Sequence, residues 1–167
     1  MWVTIWRHGE AGAATIDRER QLTDRGRVDL QRGAECFLAH CSDSELPVPD
    51  TVYYSPWRRT MQTAGLLTRA LGAGAQSPLP ALQPGSIVAA ADAALVDLFA
   101  NTDHNGHLLL VSHQPLVSQL TDFYLGTRGQ VPVLPPGGQV TLDVDYPAPG
   151  SALLKFWMFP PEYTPAS

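Results

Sequence analysis

Two short apolar runs restrict this chain to a layered α/β architecture. Residues 1–6 (Met-Trp-Val-Thr-Ile-Trp) and 107–112 (His-Leu-Leu-Leu-Val-Ser) are dominated by β-branched, aliphatic and aromatic side chains, without regular polar alternation. A strand of that kind must be covered on both faces, the condition of a parallel sheet clothed in helices. The rest of the chain supplies those helices. Leu22-Thr23-Asp24-Arg25-Gly26 opens one, with Thr23 as N-cap. It runs to about His40, with Val28, Leu30, Ala34, Phe37 and Leu38 as an apolar stripe. Residues 51–54 read as a short strand, and Pro56 starts a helix that continues to about Leu71. Residues 76–82 suggest another short strand. Pro84-Gly85-Ser86 caps a helix from Ile87 to about Ala100, and Pro115 starts one ending near Leu125-Gly126. Residues 127–138, rich in proline and glycine, read as loop. Residues 139–146 and 152–159 predict a hairpin across a turn at 147–150, with Val140, Leu142, Val144 and Tyr146 on one face. From Pro160 onward a frayed tail is expected. The sum is a three-layer α/β sandwich: one domain over residues 1–167, a mostly parallel central sheet flanked by helices, and an antiparallel strand at one edge.

Chemistry-bearing residues cluster just past the predicted strand ends. Arg7-His8-Gly9-Glu10 follows the first run, and Ser112-His113-Gln114-Pro115 closes the second. Ser55-Pro56-Trp57-Arg58-Arg59-Thr60-Met61-Gln62-Thr63 follows the short strand between them. Ligands of open α/β sheets sit beyond the carboxyl ends of the strands, so the topology gathers these segments at one rim. An arginine at a buried strand end needs a partner anion. Guanidinium forks match phosphoryl oxygens, and a neutral imidazole is a competent nucleophile toward phosphorus. The small residues 9–15 suit a loop that wraps such a ligand.

Bulk properties exclude other classes. The net charge is -5 and the pI about 5.4, and no basic stretch is long enough to track nucleic acid. No apolar segment reaches the roughly 20 residues of a membrane span, and Arg7 and Glu10 interrupt any secretory signal, so a cytoplasmic setting is expected. Cys36 and Cys41 form neither a metal signature nor a disulfide framework and read as reduced, structural thiols. His104 and His107 read as loop residues without a metal, His40 as solvated at a helix end, and Trp157 and Phe159 as sheet packing. Ser112 lacks the flanking glycines of a nucleophile elbow.

The motifs Arg7-His8-Gly9-Glu10, Leu22-Thr23-Asp24-Arg25-Gly26, Ser55-Pro56 with Arg59 and Gln62-Thr63, and Ser112-His113-Gln114-Pro115-Leu116 occur in an order that resembles the histidine phosphatase superfamily, which includes phosphoglycerate mutases. The small size and the Ser112–Leu116 run are most similar to SixA-type phosphohistidine phosphatases. The resemblance implies a phosphoglycerate mutase-like fold and catalysis without cofactor or metal. It makes His8 the phosphoryl acceptor, with Arg7, Arg59 and His113 as the surrounding cage. Gly9, Glu10, Arg20 and Ser112 become substrate-side residues, Glu10 mainly orienting its loop. Motif matching selects Arg59 over Arg58, which falls about 100° further around the helix. Many relatives carry a carboxylic general acid after the third strand. Here that stretch, residues 79–86, has no carboxylate, and neither Glu10 nor Asp92 fits the position. A phosphoimidazole tolerates that loss better than an alcohol ester, since its free ring nitrogen takes a proton near neutral pH. The implied partner is a histidine-phosphorylated signalling domain, with a small phosphoester as the alternative and a phosphate-binding protein without turnover as a third reading.

Overall fold

In the computed structural model, which describes residues 1–101 and 106–167, the two apolar runs are neighbours at the centre of one sheet. The strands are β1 (Trp2–Arg7), β2 (Thr51–Tyr54), β3 (Ala75–Pro78), β4 (His107–Ser112), β5 (Gln139–Val144) and β6 (Ala152–Met158). The helices are α1 (Asp24–Asp43), α2 (Arg58–Leu71), α3 (Val88–Ala100) and α4 (Leu116–Leu125), with 3-10 turns at Asp17–Glu19 and Pro80–Leu82. The strand order is β3-β2-β4-β1-β5-β6. The first four run parallel, β5 runs antiparallel to β1, and β6 antiparallel to β5. This is the expected mostly parallel sandwich, with the hairpin at one edge.

Alternate residues of the central strands feed two cores. Val3 and Ile5 of β1 join Leu110 of β4, Leu95 of α3 and Val117, Leu120 and Tyr124 of α4. Trp6 points to the other face and joins Leu30 and Phe37 of α1, Leu67 of α2 and Val111 of β4. Every residue of β4 is buried, as a strand covered on both sides requires. Each large aliphatic side chain so buried contributes about 1.5–3 kcal/mol.

Local signals explain the helix starts and stops. The Thr23 hydroxyl accepts from the Gly26 amide at 3.0 Å and caps α1. Gly72 and Gly126 adopt left-handed backbone and end α2 and α4. Several expectations need correction. The helix expected at Pro56 begins at Arg58, with Trp57 as N-cap. Residues 76–82 divide into β3 and a 3-10 turn. Ser86 does not cap α3; Ile87 holds that place. Val28 is 66% exposed and lies off the buried stripe. Tyr146 falls beyond β5 and is exposed, while Gln139 and Thr141 are buried. Polar residues on the second face of β5 are buried because that face is covered too. They bond to polar groups of the neighbouring strands: the Thr141 hydroxyl lies 2.8 Å from that of Thr4 in β1, which lies 2.8 Å from His107 Nε2 in β4.

His107, which opens the second apolar run although its pairing with His104 reads as loop, is the first residue of β4 and fully buried; its Nδ1 donates to the Pro47 carbonyl at 2.7 Å. His104 lies outside the described residues. His40 packs edge-on against Phe156, ring centroids 4.3 Å apart, rather than standing in solvent. Both cysteines are free, Cys41 buried and Cys36 half-buried.

The tail is the largest departure. Ala166 exchanges backbone hydrogen bonds with Trp157, and the Tyr163 ring is buried against α1. A Cβ on Gly33 would stand 2.6 Å from that ring, so glycine is required for the approach. The Tyr163 hydroxyl donates to the Gly137 carbonyl at 3.1 Å, and the Gly137 amide donates to the His8 carbonyl at 3.0 Å. The segment expected to fray therefore braces the loop behind His8. Tyr163→Ala should destabilise the protein by about 3–5 kcal/mol, the cost of removing a buried aromatic ring. Urea denaturation checks this, and a loss below about 1 kcal/mol would fit a frayed tail instead.

Candidate active site

The register of the central strands assembles the site. Arg7 pairs with Ser112 across the β1–β4 ladder, and Tyr54 of β2 pairs with Val111. The chain leaves all three strands at that level. The His8 amide donates to the Ser112 carbonyl, and the Ser55 amide to the Val111 carbonyl. His8, Ser55 and His113 therefore emerge side by side, and the two imidazole rings lie 5.0 Å apart between centroids.

One hydrogen bond defines the state of His8. Its Nδ1 lies 2.8 Å from the Gly9 carbonyl, which can only accept. Nδ1 therefore carries the proton, and in the neutral ring Nε2 holds the bare lone pair. Burial is the main cause that pulls His8 down to about pKa 4; Arg59, Arg7 and Arg20 add to it, and the Gly9 bond opposes them. At neutral pH His8 is an uncharged ring with a basic nitrogen facing the Arg59 Nε–H, 3.1 Å away. Gly9 is required for this turn: a Cβ would stand 2.6 Å from a Leu30 methyl. Its amide is held at 3.2 Å by the Thr63 hydroxyl, which donates to the Arg59 carbonyl.

Of the adjacent arginines, Arg59 is turned inward. It is 5% exposed, stacks 4.8 Å from the Trp57 ring centroid and donates to the Asp17 carbonyl at 2.9 Å. Arg58 is exposed and lies 3.8 Å from Glu19. Arg7 donates one terminal N–H to the Leu134 carbonyl at 2.9 Å, while its buried Nε has no partner. His113 Nε2 lies 2.8 Å from the Ser55 hydroxyl, and its buried Nδ1 also has no partner. Burial, with His8, Arg59 and Arg7 nearby, drives the His113 pKa down to about 2. The cluster thus places a neutral nucleophilic nitrogen, two guanidinium groups and a second neutral imidazole around one spot. Among the described residues, Trp6, Arg7, His113 and Gln139 each keep a buried side-chain nitrogen without a partner; those of Arg7 and His113 lie in this cluster, where an anion would meet them.

The remaining expected residues are more peripheral. Arg20 binds the carbonyls of Gly12 and Ala11 at 2.6 and 3.1 Å and pairs with Asp17, so it holds the loop closed. The Ser112 hydroxyl, expected on the substrate, is committed to the Leu82 carbonyl at 2.7 Å. Glu10 accepts from the Thr23 hydroxyl at 2.7 Å and fixes the loop to the start of α1. Gln62 accepts the Leu22 amide at 2.9 Å. Sequence reasoning missed Asp17, Trp57, the Leu134 carbonyl and the part played by Ser55. Asp17 lies 3.5 Å from Arg59; the Arg20 hydrogen bond, with Arg59 nearby, holds its carboxyl below the usual range, so it stays ionised. Asp92 accepts from Tyr124 at 2.9 Å. Among the described residues, no group of three His, Cys, Asp or Glu could hold a metal ion, and no helix is long and apolar enough to cross a membrane.

The sequence matches no protein-family model and no curated protein. The fold has close counterparts among solved structures. The protein histidine phosphatase SixA in complex with tungstate is 24% identical, with 96% of this chain and 97% of that chain covered and a TM-score of 0.77. A Nakamurella multipartitia protein carrying the SixA name is 20% identical, with 95% of both chains covered and a TM-score of 0.73. A mycobacterial glucosyl-3-phosphoglycerate phosphatase in complex with VO3 is 15% identical, with 92% and 96% covered and a TM-score of 0.67. The chain has the fold these proteins share.

Proton linkage gives a direct test of the cluster. His8, His107 and His113 all have pKa values below the ordinary 6.5 because burial disfavours their charged forms. The unfolded chain therefore takes up protons on these rings that the folded chain refuses. Their contribution is present above pH 6.5 and is lost as pH falls toward 4 for His8 and His107 and toward 2 for His113, at about 1.4 kcal/mol per pH unit for each ring. Urea unfolding between pH 7 and 4.5 should show this decline, and His8→Gln should flatten it by about one ring's share. A flat wild-type profile would mean that the rings titrate in the fold as they do in water.

Proposed function

We propose that the protein is a metal-independent phosphatase of the histidine phosphatase type, which takes the phosphoryl group from phosphohistidine on a signalling protein and carries it on His8. The observation that carries this reading is the His8 tautomer: the Gly9 carbonyl holds the proton on Nδ1 and leaves Nε2 unprotonated, with a lone pair that becomes the nucleophile once the Arg59 Nε–H turns to the phosphoryl oxygens. Around that nitrogen stand Arg59, with Arg7 and His113 offering buried unpaired nitrogens.

The chemistry follows from these groups. The phosphoryl oxygens take the donors of Arg7, Arg59 and His113, and the Arg59 Nε–H leaves the lone pair it covers in the resting site. The Nε2 pair forms a bond to phosphorus while the bond to the substrate's ring nitrogen breaks. The substrate imidazole, protonated on its other nitrogen, departs neutral and needs no acid from the enzyme. Water then attacks phosphorus as the bond to Nε2 breaks and its electron pair returns to the ring; both water hydrogens leave on inorganic phosphate as H2PO4−, and neutral His8 is restored with its proton on Nδ1. Charge stabilisation by preorganised donors supplies most of the acceleration.

The substrate class rests on what surrounds the site. Asp17, the carboxylate paired with Arg59, is also bound to Arg20 and ionised, which suits a leaving group that brings its own proton. An alkoxide would need one supplied.

Phosphohistidine peptides should be turned over at least about 100-fold faster than sugar phosphates, a margin of the size general-acid catalysis provides. Efficient hydrolysis of sugar phosphates with phosphohistidine untouched would instead assign a small-ester phosphatase. Rapid quench with a 32P-labelled donor should trap an acid-labile phosphoenzyme that His8→Ala cannot form. Failure to trap or turn over any donor would leave only a phosphate-binding protein. Arg7→Lys should lower kcat by roughly 100-fold despite keeping the charge, because the planar fork is lost; a near-normal kcat would remove Arg7 from the cage.

A further inference from the structure

Ser55 is fully buried just past the end of β2, and among the described residues its hydroxyl has one hydrogen-bond partner, His113 Nε2 at 2.8 Å. The opposite nitrogen, His113 Nδ1, is buried without a partner among the described residues. Two proton arrangements fit this geometry. If Nε2 carries the hydrogen, it donates to Ser55, and the buried Ser55 hydroxyl hydrogen is left with no acceptor. The bare Nδ1 would then turn a lone pair toward any bound anion. If Ser55 donates to Nε2, the hydroxyl is satisfied and the ring hydrogen sits on Nδ1. One unfilled group then remains, an N–H donor in the same cluster as the unfilled Nε–H of Arg7.

We infer that Ser55 is a positioning residue: its hydroxyl fixes His113 as the Nδ1–H tautomer, so that this ring meets the transferring phosphoryl group as a neutral hydrogen-bond donor. The assignment rests on the phosphatase reading for its consequence and on geometry alone for the tautomer. Neutrality suits a site that already holds two guanidinium groups, since a third cation 5.0 Å from the His8 ring would draw the nucleophile's lone pair and resist burial. The backbone holds Ser55 in place. Its amide donates to Val111, and its carbonyl accepts from the Thr60 hydroxyl at 2.7 Å. Trp57 packs edge-on to the His113 ring, centroids 5.6 Å apart, and limits its rotation. The pairing repeats at the second imidazole what Gly9 does at the first. A carbonyl acceptor puts the His8 proton on Nδ1 and leaves Nε2 unprotonated. A hydroxyl donor covers His113 Nε2 and exposes an N–H.

Two-bond 1H–15N correlation spectra of 15N-histidine-labelled protein at pH 7 distinguish the tautomers, with His113 assigned by the loss of its signals in His113→Asn. The expected wild-type pattern is a protonated Nδ1 and an unprotonated Nε2, shifting toward protonated Nε2 in Ser55→Ala. Ser55→Thr, which keeps the hydroxyl, should retain the wild-type pattern. A wild-type His113 protonated on Nε2, or a pattern unchanged in Ser55→Ala, overturns the assignment. This measurement needs no turnover, so its outcome is separate from that of the phosphatase assay. Where turnover is measured, Ser55→Ala should lower kcat about tenfold with little change in KM, and Ser55→Thr should recover most of it; equal kcat in all three proteins would likewise count against the role.

Discussion

The parallel pairing of β1 with β4 is the constraint on which the site depends. It sets Arg7 level with Ser112, so the chain turns out of both strands at the same height. The two histidines follow from that register. A slip of one residue would send each side chain to the opposite face and part the rings. The register is itself enforced by burial. Trp6 belongs to one core and Ile5 to the other, so neither strand can shift without exposing apolar surface on one side and burying polar groups on the other. Core packing and site geometry are thus a single constraint.

Around that rim, the protein uses backbone carbonyls and hydroxyls to set the state of each functional side chain. Gly9 orients His8, Leu134 holds one arm of Arg7, and the Asp17 carbonyl holds Arg59. A second ring of contacts holds those acceptors still: Thr63 on the Gly9 amide, Arg20 across the loop, and Gly137 with Tyr163 behind His8. Because burial keeps both imidazoles neutral, the positive charge of the site comes from the arginines.

Much of this was legible in the sequence because it rests on local pattern and strand-end topology. The unbroken apolar runs announced covered strands, and the segments just past them announced one rim. Inward Arg59 and outward Arg58 followed from motif matching and helix geometry. What was not legible depended on contacts between distant segments. Asp17 looks like one more acid in a polar loop until that loop folds over Arg59. Tyr163 sits among prolines and reads as tail, because nothing nearby in sequence shows that Gly33 leaves room for its ring. The burial of Gln139 and Thr141 is not legible either, because alternation marks one apolar face and does not show that the other face is covered too. The proton placement on His113 is invisible in sequence, since it depends on which buried atoms lack partners.

The central claim is that two imidazoles, brought together from distant parts of the chain, face a single tetrahedral anion. A crystal structure with vanadate bound tests it most directly. The account predicts vanadium within bonding distance of His8 Nε2, roughly 2.0–2.3 Å on the scale of metal–imidazole bonds, with its oxygens on Arg7, Arg59 and His113 Nδ1. Vanadate bound elsewhere, or held by the arginines with His8 turned away, would contradict it.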